Sequence, residues 1–390
     1  MGLREIEEVY RRLDGIVNDG GHLLYHYRSL EGFWNIIEGD CFWATNARFS
    51  NDEEEQRLGI KKIKDLYWEG KPIPGNIDCY IVCFCEEDDK LSQWRGYAQN
   101  GISIGFDFSN IRPFYIMHID EKEDEKIIYN ACAQVAYFDL ETNSDTVLEW
   151  TRLVKNEYSV DTKRWDRFLL NRIPFIKHKG FEEEEEYRLV FEGEELGPYI
   201  RYRNSDNMKL PYIVVKAGSN IKRDDVIIRV LFDTSSDDGK SCLKCIKDSL
   251  STRKKIKVIE CQNMGVSVNE KDCEGCIRTR KIDLESECID EWSGCPGLDG
   301  YCFIKENAII ISDCKDQEEI FMSLHYALHE KFGEMAPKIW CEGHLPVRSI
   351  TVGPSRDSDR VRESIEHYCR HKAYWLMDVE IKKSKIPYRS

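Results

Sequence analysis

The sequence predicts an α+β fold whose mixed-sheet core is split by a cysteine-rich α+β insertion. Three observations carry this. Apolar runs of strand length alternate with amphipathic helical stretches from residue 21 to residue 235. The rhythm breaks over 236–345, which holds ten of the sixteen cysteines. It resumes from 346 to 390 in the earlier style. Residues 1–20 form a separate helical segment, with Leu3, Ile6, Val9, Leu13 and Ile16 at helical spacing before Gly20 and Gly21 stop it.

The elements follow in order. Leu23–Leu24–Tyr25–His26–Tyr27 reads as a short strand, and Ser29 caps a helix running through Phe33, Ile36 and Ile37 to Gly39. Cys41–Thr45 is the next strand, and an acidic helix opens at Asn51–Asp52 with Leu58, Ile63 and Leu66 on its apolar side. The continuous apolar run Cys79–Cys85 predicts a central strand buried on both faces. Leu91–Tyr97 predicts a short helix, Gly101–Asp107 an alternating strand, and 128–138 another strand. Two helical stretches, 144–157 and 162–178, precede strands near 199–203, 211–216 and 226–232. After the insertion come a strand at Arg348–Val352, a helix over 356–370 and a last strand over 377–382.

Composition narrows the function classes. With 41% hydrophobic residues, 19 Tyr, 16 Phe and 9 Trp, the chain can bury a substantial core and is not of disordered composition. Its formal charge of −15 disfavours a general nucleic-acid binder, which needs positive potential, although Arg253–Lys257 and Arg278–Lys281 are locally basic. No apolar run approaches the roughly 18 residues of a membrane span, and the charged N-terminus lacks the apolar stretch of a signal peptide. The expectation is therefore a cytoplasmic protein with no membrane partner. There, cysteines are reduced thiols or metal ligands rather than disulfides.

The most informative stretch is Glu182–Glu183–Glu184–Glu185–Glu186–Tyr187–Arg188–Leu189–Val190, after Lys177–His178–Lys179–Gly180–Phe181. On a strand, successive side chains alternate faces, so Glu184, Glu186 and Arg188 share one side. Two carboxylates and a guanidinium on one face form a plausible reactive constellation. The plain reading is a solvated charge run before a core strand, with Arg188 pairing Glu186 as scaffold. A like-charged neighbourhood would raise the carboxyl pKa values.

Several blocks together resemble the prokaryotic domain of unknown function family 2971. They are Leu24–Leu30, Phe42–Asn46 into Ser50–Asp52, Cys83–Cys85, Leu91–Tyr97, Gly101–Phe106, Lys179–Leu189, and the tail Ile350–Pro354 through Ser384–Arg389. They cover roughly 22–232 and 346–390, in the family's order. That name implies no activity. A looser similarity does: a strand ending Tyr-His-Tyr, then a helix and a short strand, resembles the opening of ADP-ribosyltransferase folds. Those folds carry a His or Arg on the first strand and a catalytic Glu, often in Glu-x-Glu, at a late strand.

This similarity implies NAD as substrate, with Glu186 stabilising the positive charge that develops on the ribose and Glu184 activating the acceptor. It implies His26 as the group holding the adenine-side ribose and Tyr27 or Tyr97 stacking on nicotinamide. Arg188 or Arg95 would meet the pyrophosphate, and Tyr25, Ser92 and Trp94 would complete the NAD-binding residues. The acceptor would be a macromolecule, protein or nucleic acid, and the biological setting a toxin or antiphage-defence effector whose insertion recognises a trigger or partner protein. His26 between two tyrosines also reads as a satisfied core histidine, and Trp94 with Tyr97 as one apolar helix face. Two rival readings are a nucleotide-binding sensor without chemistry, and a metal-dependent hydrolase or nuclease using Glu184, Glu186, Asp52 and Asp107. No Gly-x-Gly-x-x-Gly or Walker-type loop is present.

In the insertion, Cys242–Cys245 and Cys273–Cys276 are Cys-x-x-Cys pairs with the bite of tetrahedral zinc. Their separation exceeds the usual ribbon spacing, and buried free thiols are the alternative. An apolar strand at 306–312 precedes a helix carrying His325 and His329 at i and i+4. This arrangement resembles a zinc-metallopeptidase-like domain, with both histidines as zinc ligands. Tyr326 stands where the general-base Glu of His-Glu-x-x-His is required, so the resemblance implies a degenerate domain that binds or senses.

Overall fold

The computed structural model describes residues 23–49, 58, 59, 61, 79–107, 114–116, 126–128, 130–138, 173–192, 196–205, 208–217, 226–231, 237–251, 257–263, 277–282, 289–291, 308–314, 317–337, 339–341 and 344–387. The N-terminal helical segment 1–20, nearly all of the acidic helix after Asp52, and the stretch 144–157 fall outside them.

The chain opens with β1 (Leu23–Arg28), α1 (Leu30–Gly39), β2 (Phe42–Asn46), β3 (Cys79–Cys85) and β4 (Ile102–Asp107). Helix α1 begins as its sequence dictates: the Ser29 hydroxyl accepts the Gly32 N–H at 3.2 Å. Its buried face is Phe33, Ile36 and Ile37. Short strands follow: β5 (Phe114–Ile116), β6 (Lys126–Ile128), β7 (Asn130–Gln134), β8 (Ala136–Phe138) and β9 (Ile176–His178). Then come β10 (Glu186–Glu192), β11 (Arg201–Ser205) and β12 (Met208–Ala217). The single strand expected over 128–138 is thus three short ones, and the helix expected to reach 178 gives way to a 3₁₀ turn at Ile173–Phe175 and β9.

The main sheet runs β20-β19-β4-β1-β3-β2-β12-β5-β6, where β19 is Val347–Val352 and β20 is Glu380–Lys383; β10 branches from β3 and carries β7, and β11 pairs β12. Its ladders are antiparallel except β19–β20. The architecture is α+β with a mixed sheet. One face buries Leu24, Phe33, Phe42, Phe84, Ile104, Phe106, Leu189 and Ile350, with Ile365 and Cys369 from the helix Ser358–Lys372.

Strand β3 is forked. One edge pairs all of β10, from Cys85↔Glu186 to Cys79↔Glu192. The other edge is shared: β1 meets it at Tyr25↔Cys85, and β2 takes over at Ile81 and Tyr80. The Cys83 carbonyl lies in the fork between them.

The second sheet runs β16-β15-β14-β17-β13-β18, formed by β13 (Val226–Leu231), β14 (Lys257–Asn263), β15 (Ile277–Ile282), β16 (Ile289–Glu291), β17 (Ala308–Cys314) and β18 (Ile339–Cys341). Helices α2 (Asp237–Leu250) and α3 (Gln317–Phe332) pack on it through Cys242, Ile246, Leu250, Phe321, Leu324 and Leu328. Its sheet recruits β13, ahead of residue 236, and its core extends to Tyr374 and Met377 near the C-terminus. Among the described residues, no helix is long and apolar enough to cross a membrane.

Candidate functional site

The acidic run does not enter the strand as one extended piece. Lys179–Glu184 forms a 3₁₀ turn, Glu185 adopts the left-handed conformation at φ 45°, and β10 starts only at Glu186. Glu184 and Glu186 are therefore not strand neighbours on one face. A cation brings them together instead: Lys177 Nζ lies 2.7 Å from Glu184 Oε2 and 2.8 Å from Glu186 Oε2. Turning the chain at Glu185 separates the repelling charges and sends the Glu185 carboxylate to Lys90, at 2.5 Å.

Glu186 is 5% exposed and held on every side. Arg188 donates from Nε to Oε1 at 2.8 Å and from Nη2 to Oε2 at 2.9 Å, while its Nη1 reaches the Pro174 carbonyl at 2.6 Å. The Tyr137 hydroxyl accepts the Glu186 N–H at 2.8 Å. Burial pushes the Glu186 carboxyl up, but Arg188, Lys177 and the Cys83 thiol outweigh it and hold it at about 2. The acidic neighbourhood was expected to raise this pKa. It does not, because fixed cations sit closer than any neighbouring carboxylate. Glu186 is thus a permanent anion at neutral pH. Conversely, burial and then Glu186 push the Cys83 thiol well above its ordinary range.

Glu184 is half-buried and marks the solvent side: Tyr97 OH donates to its Oε1 at 2.9 Å, and Gln93 Nε2 reaches its carbonyl at 3.3 Å. Tyr97 is 39% exposed. It lies on a helical turn over Leu91–Gln93 that widens to a π turn at Trp94–Ala98, a local geometry frequent at functional sites.

The register Tyr25↔Cys85↔Glu186 puts Tyr25 in the same row and on the same face as Glu186. His26, one residue on, turns to the other face and packs on Phe42 and Phe84. There it fills the fork in β3: Nδ1 is 2.6 Å from the Cys83 carbonyl, and Nε2 accepts from Arg28 Nε at 2.7 Å. A carbonyl only accepts, so Nδ1 carries the proton and the ring is neutral. Burial, then Arg28, press its pKa down to about 3.

The remaining predicted residues divide. Tyr27 and Trp94 are buried against each other, ring centroids 4.7 Å apart. The Tyr27 hydroxyl donates to Glu87 O at 2.8 Å, and Trp94 Nε1 donates to Asp89 at 2.8 Å. Ser92 is half-buried and Arg95 exposed on the same turn. Asp107 faces Arg348 Nε at 3.5 Å, and Asp52 is outside the described residues. Lys177, Tyr137 and Cys83 complete the Glu186 cluster and were not anticipated. The one available signal was Lys177 with Lys179, two cations just before five carboxylates, and only the fold decides that Lys177 is the buried one.

Cys242 and Cys245 lie on α2. Cys242 is buried, and burial pushes its thiol up to about 12. Cys273 and Cys276 are outside the described residues. His325 and His329 lie on α3 as expected, and Asp378, far along the chain, joins them.

These features define an α+β protein with a carboxylate pair gathered by cations on one face of a forked mixed sheet. The resemblance to the family described as Protein of unknown function (DUF2971) holds over residues 93–189, from Gln93, just ahead of the π turn, to Leu189 on β10, and so includes Tyr97, Tyr137, Lys177, Glu184, Glu186 and Arg188. No curated protein and no solved structure matches the chain.

Proposed function

We propose that the chain cleaves the nicotinamide–ribose bond of NAD and transfers ADP-ribose to a macromolecular acceptor or to water. The observation that carries this reading is the state of Glu186: ionised, buried and fixed beside a second carboxylate. A carboxylate serving an oxocarbenium-like ribose must be negative throughout, which is what Arg188 and Lys177 ensure. As the C1′–N bond breaks, its electrons leave with neutral nicotinamide. The acceptor's nucleophile then bonds C1′ and gives up its proton. Glu184 takes that proton in this reading, supported by its position at the solvent side beside Tyr97. Tyr97 and Tyr25 supply aromatic surface on this face. His26 supports the reading only as the group that props open the fork in β3. Such an activity suits a toxin or antiphage-defence effector.

The test is nicotinamide release from NAD by the wild type, with cell extract supplying acceptors, beside Glu186→Gln and Glu184→Gln. Release lost in Glu186→Gln supports the proposal; no release by folded wild type rejects it. A second reading, nucleotide binding without turnover, is favoured by one observation: both Glu186 oxygens are already engaged. NAD affinity without release would select it.

A further inference from the structure

We propose that His325, His329 and Asp378 bind one divalent transition-metal ion, zinc in the first instance, which ties helix α3 to the segment entering the last strand of the main sheet. This site is separate from the Glu186 cluster and does not depend on the NAD reading.

The geometry is that of ligands aimed at a shared centre. One donor atom from each residue lies within 4.8 Å of the others. Asp378 Oδ1 is 3.1 Å from His325 Nδ1 and 3.2 Å from His329 Nε2. Donors around a tetrahedral zinc, with bonds of about 2.0–2.1 Å, stand roughly 3.3 Å apart. His325 is 8% exposed, yet its Nδ1 makes no hydrogen bond despite its closeness to Asp378. His329 Nε2 is within hydrogen-bond reach of the same Asp378 oxygen, so both imidazoles converge on Oδ1, as ligands of one ion do.

The surroundings fit. Asp378 Oδ2 accepts the Ile339 N–H at 3.3 Å, which orients the carboxylate and leaves Oδ1 as a single donor. Phe321 stacks on His325 with rings 9° from parallel, fixing the imidazole plane. The His329 side chain is 40% exposed and gives the ion a route in. Two imidazoles and one carboxylate suit zinc and its first-row neighbours rather than magnesium or calcium. A fourth position is left for water. Tyr326, adjacent to His325 and 60% exposed, offers no carboxylate to take a proton from that water. The ion's role is therefore to tether, and the two tethered segments already share the core of Phe321, Tyr374 and Met377.

The test uses the full chain, stripped with chelator and titrated with cobalt(II). The expected result is a visible d–d band saturating at one equivalent and displaced by zinc, without a thiolate charge-transfer band. His329→Ala, at a half-exposed position that folding tolerates, and Asp378→Asn should each weaken binding tenfold or more. Cys242→Ser/Cys245→Ser should leave the band unchanged. Circular dichroism checks that each variant is folded. No band in folded wild type, a band that persists in both His329→Ala and Asp378→Asn, or thiolate bands alone would overturn the proposal.

Discussion

Arg188 grips Glu186 at two points, Nε on Oε1 at 2.8 Å and Nη2 on Oε2 at 2.9 Å, from two residues along the same strand. Both side chains are nearly inaccessible, so the pair is a buried charge unit whose members cannot be removed singly without penalty. Arg188→Met should destabilise the chain by about 3–5 kcal/mol in chemical denaturation, while Arg188→Met combined with Glu186→Gln should recover part of the loss. Equal destabilisation by the single and double variants would refute the coupling.

The same pair sets an acid response. Glu186 is held at about 2, below its ordinary 4.5, so its stabilisation is fully present above pH 4.5 and is lost as pH falls through 2. That is on the order of 3 kcal/mol. Stability measured from pH 6 to pH 2.5 should fall less steeply in Glu186→Gln than in wild type.

His26 adds an independent slope. It is neutral when folded, with a pKa near 3, and takes a proton from about 6.5 downward when unfolded. The unfolded state binds more protons between these values, so stability falls as pH drops from 6.5 towards 3, by about 1.4 kcal/mol per unit. In NMR spectra the His26 ring resonances should stay flat down to pH 4. Titration near pH 6 would contradict the fork geometry.

Gly105 lies under the Tyr25 ring. A Cβ there would stand 2.3 Å from Ser349 Oγ and 2.8 Å from Tyr25 Cε1. Gly105→Ala should cost about 1–3 kcal/mol by overpacking and displace Tyr25 from the Glu186 row. Denaturation midpoints, and a change in Tyr25 chemical shifts, would read both effects.

Cys83 lies beneath the Glu186 carboxylate, with its thiol pushed up by burial and then by that charge. Under native conditions it should resist alkylation, and mass spectrometry should find it modified only after denaturation. Cys83 is half-buried, so rapid native labelling there would mean that Glu186 no longer holds its thiol protonated.

Much of the main sheet was legible because its signals are local. The Ser29 cap, the apolar run Cys79–Cys85 and the alternation at Gly101–Asp107 each fix an element through near neighbours. The strand after the acidic run was also legible, but its first residue was not. Charge repulsion among Glu182–Glu186 and the pull of Lys177 and Lys90 wind 179–184 into a turn that alternation alone cannot foresee.

The sequence by itself determined the α+β class and the presence of Glu184, Glu186, Arg188, His325 and His329 as chemically capable residues. These follow from periodicity and residue type, which act within a few positions. Only the tertiary structure decided what those residues meet. The fork in β3 turned His26 away from Glu186 and gave its ring to the Cys83 carbonyl. Lys177 reached Glu186 from β9, and Asp378 reached two histidines on a helix some fifty residues earlier. Such pairings depend on strand register and helix docking, and these are set by how the whole chain buries its apolar surface.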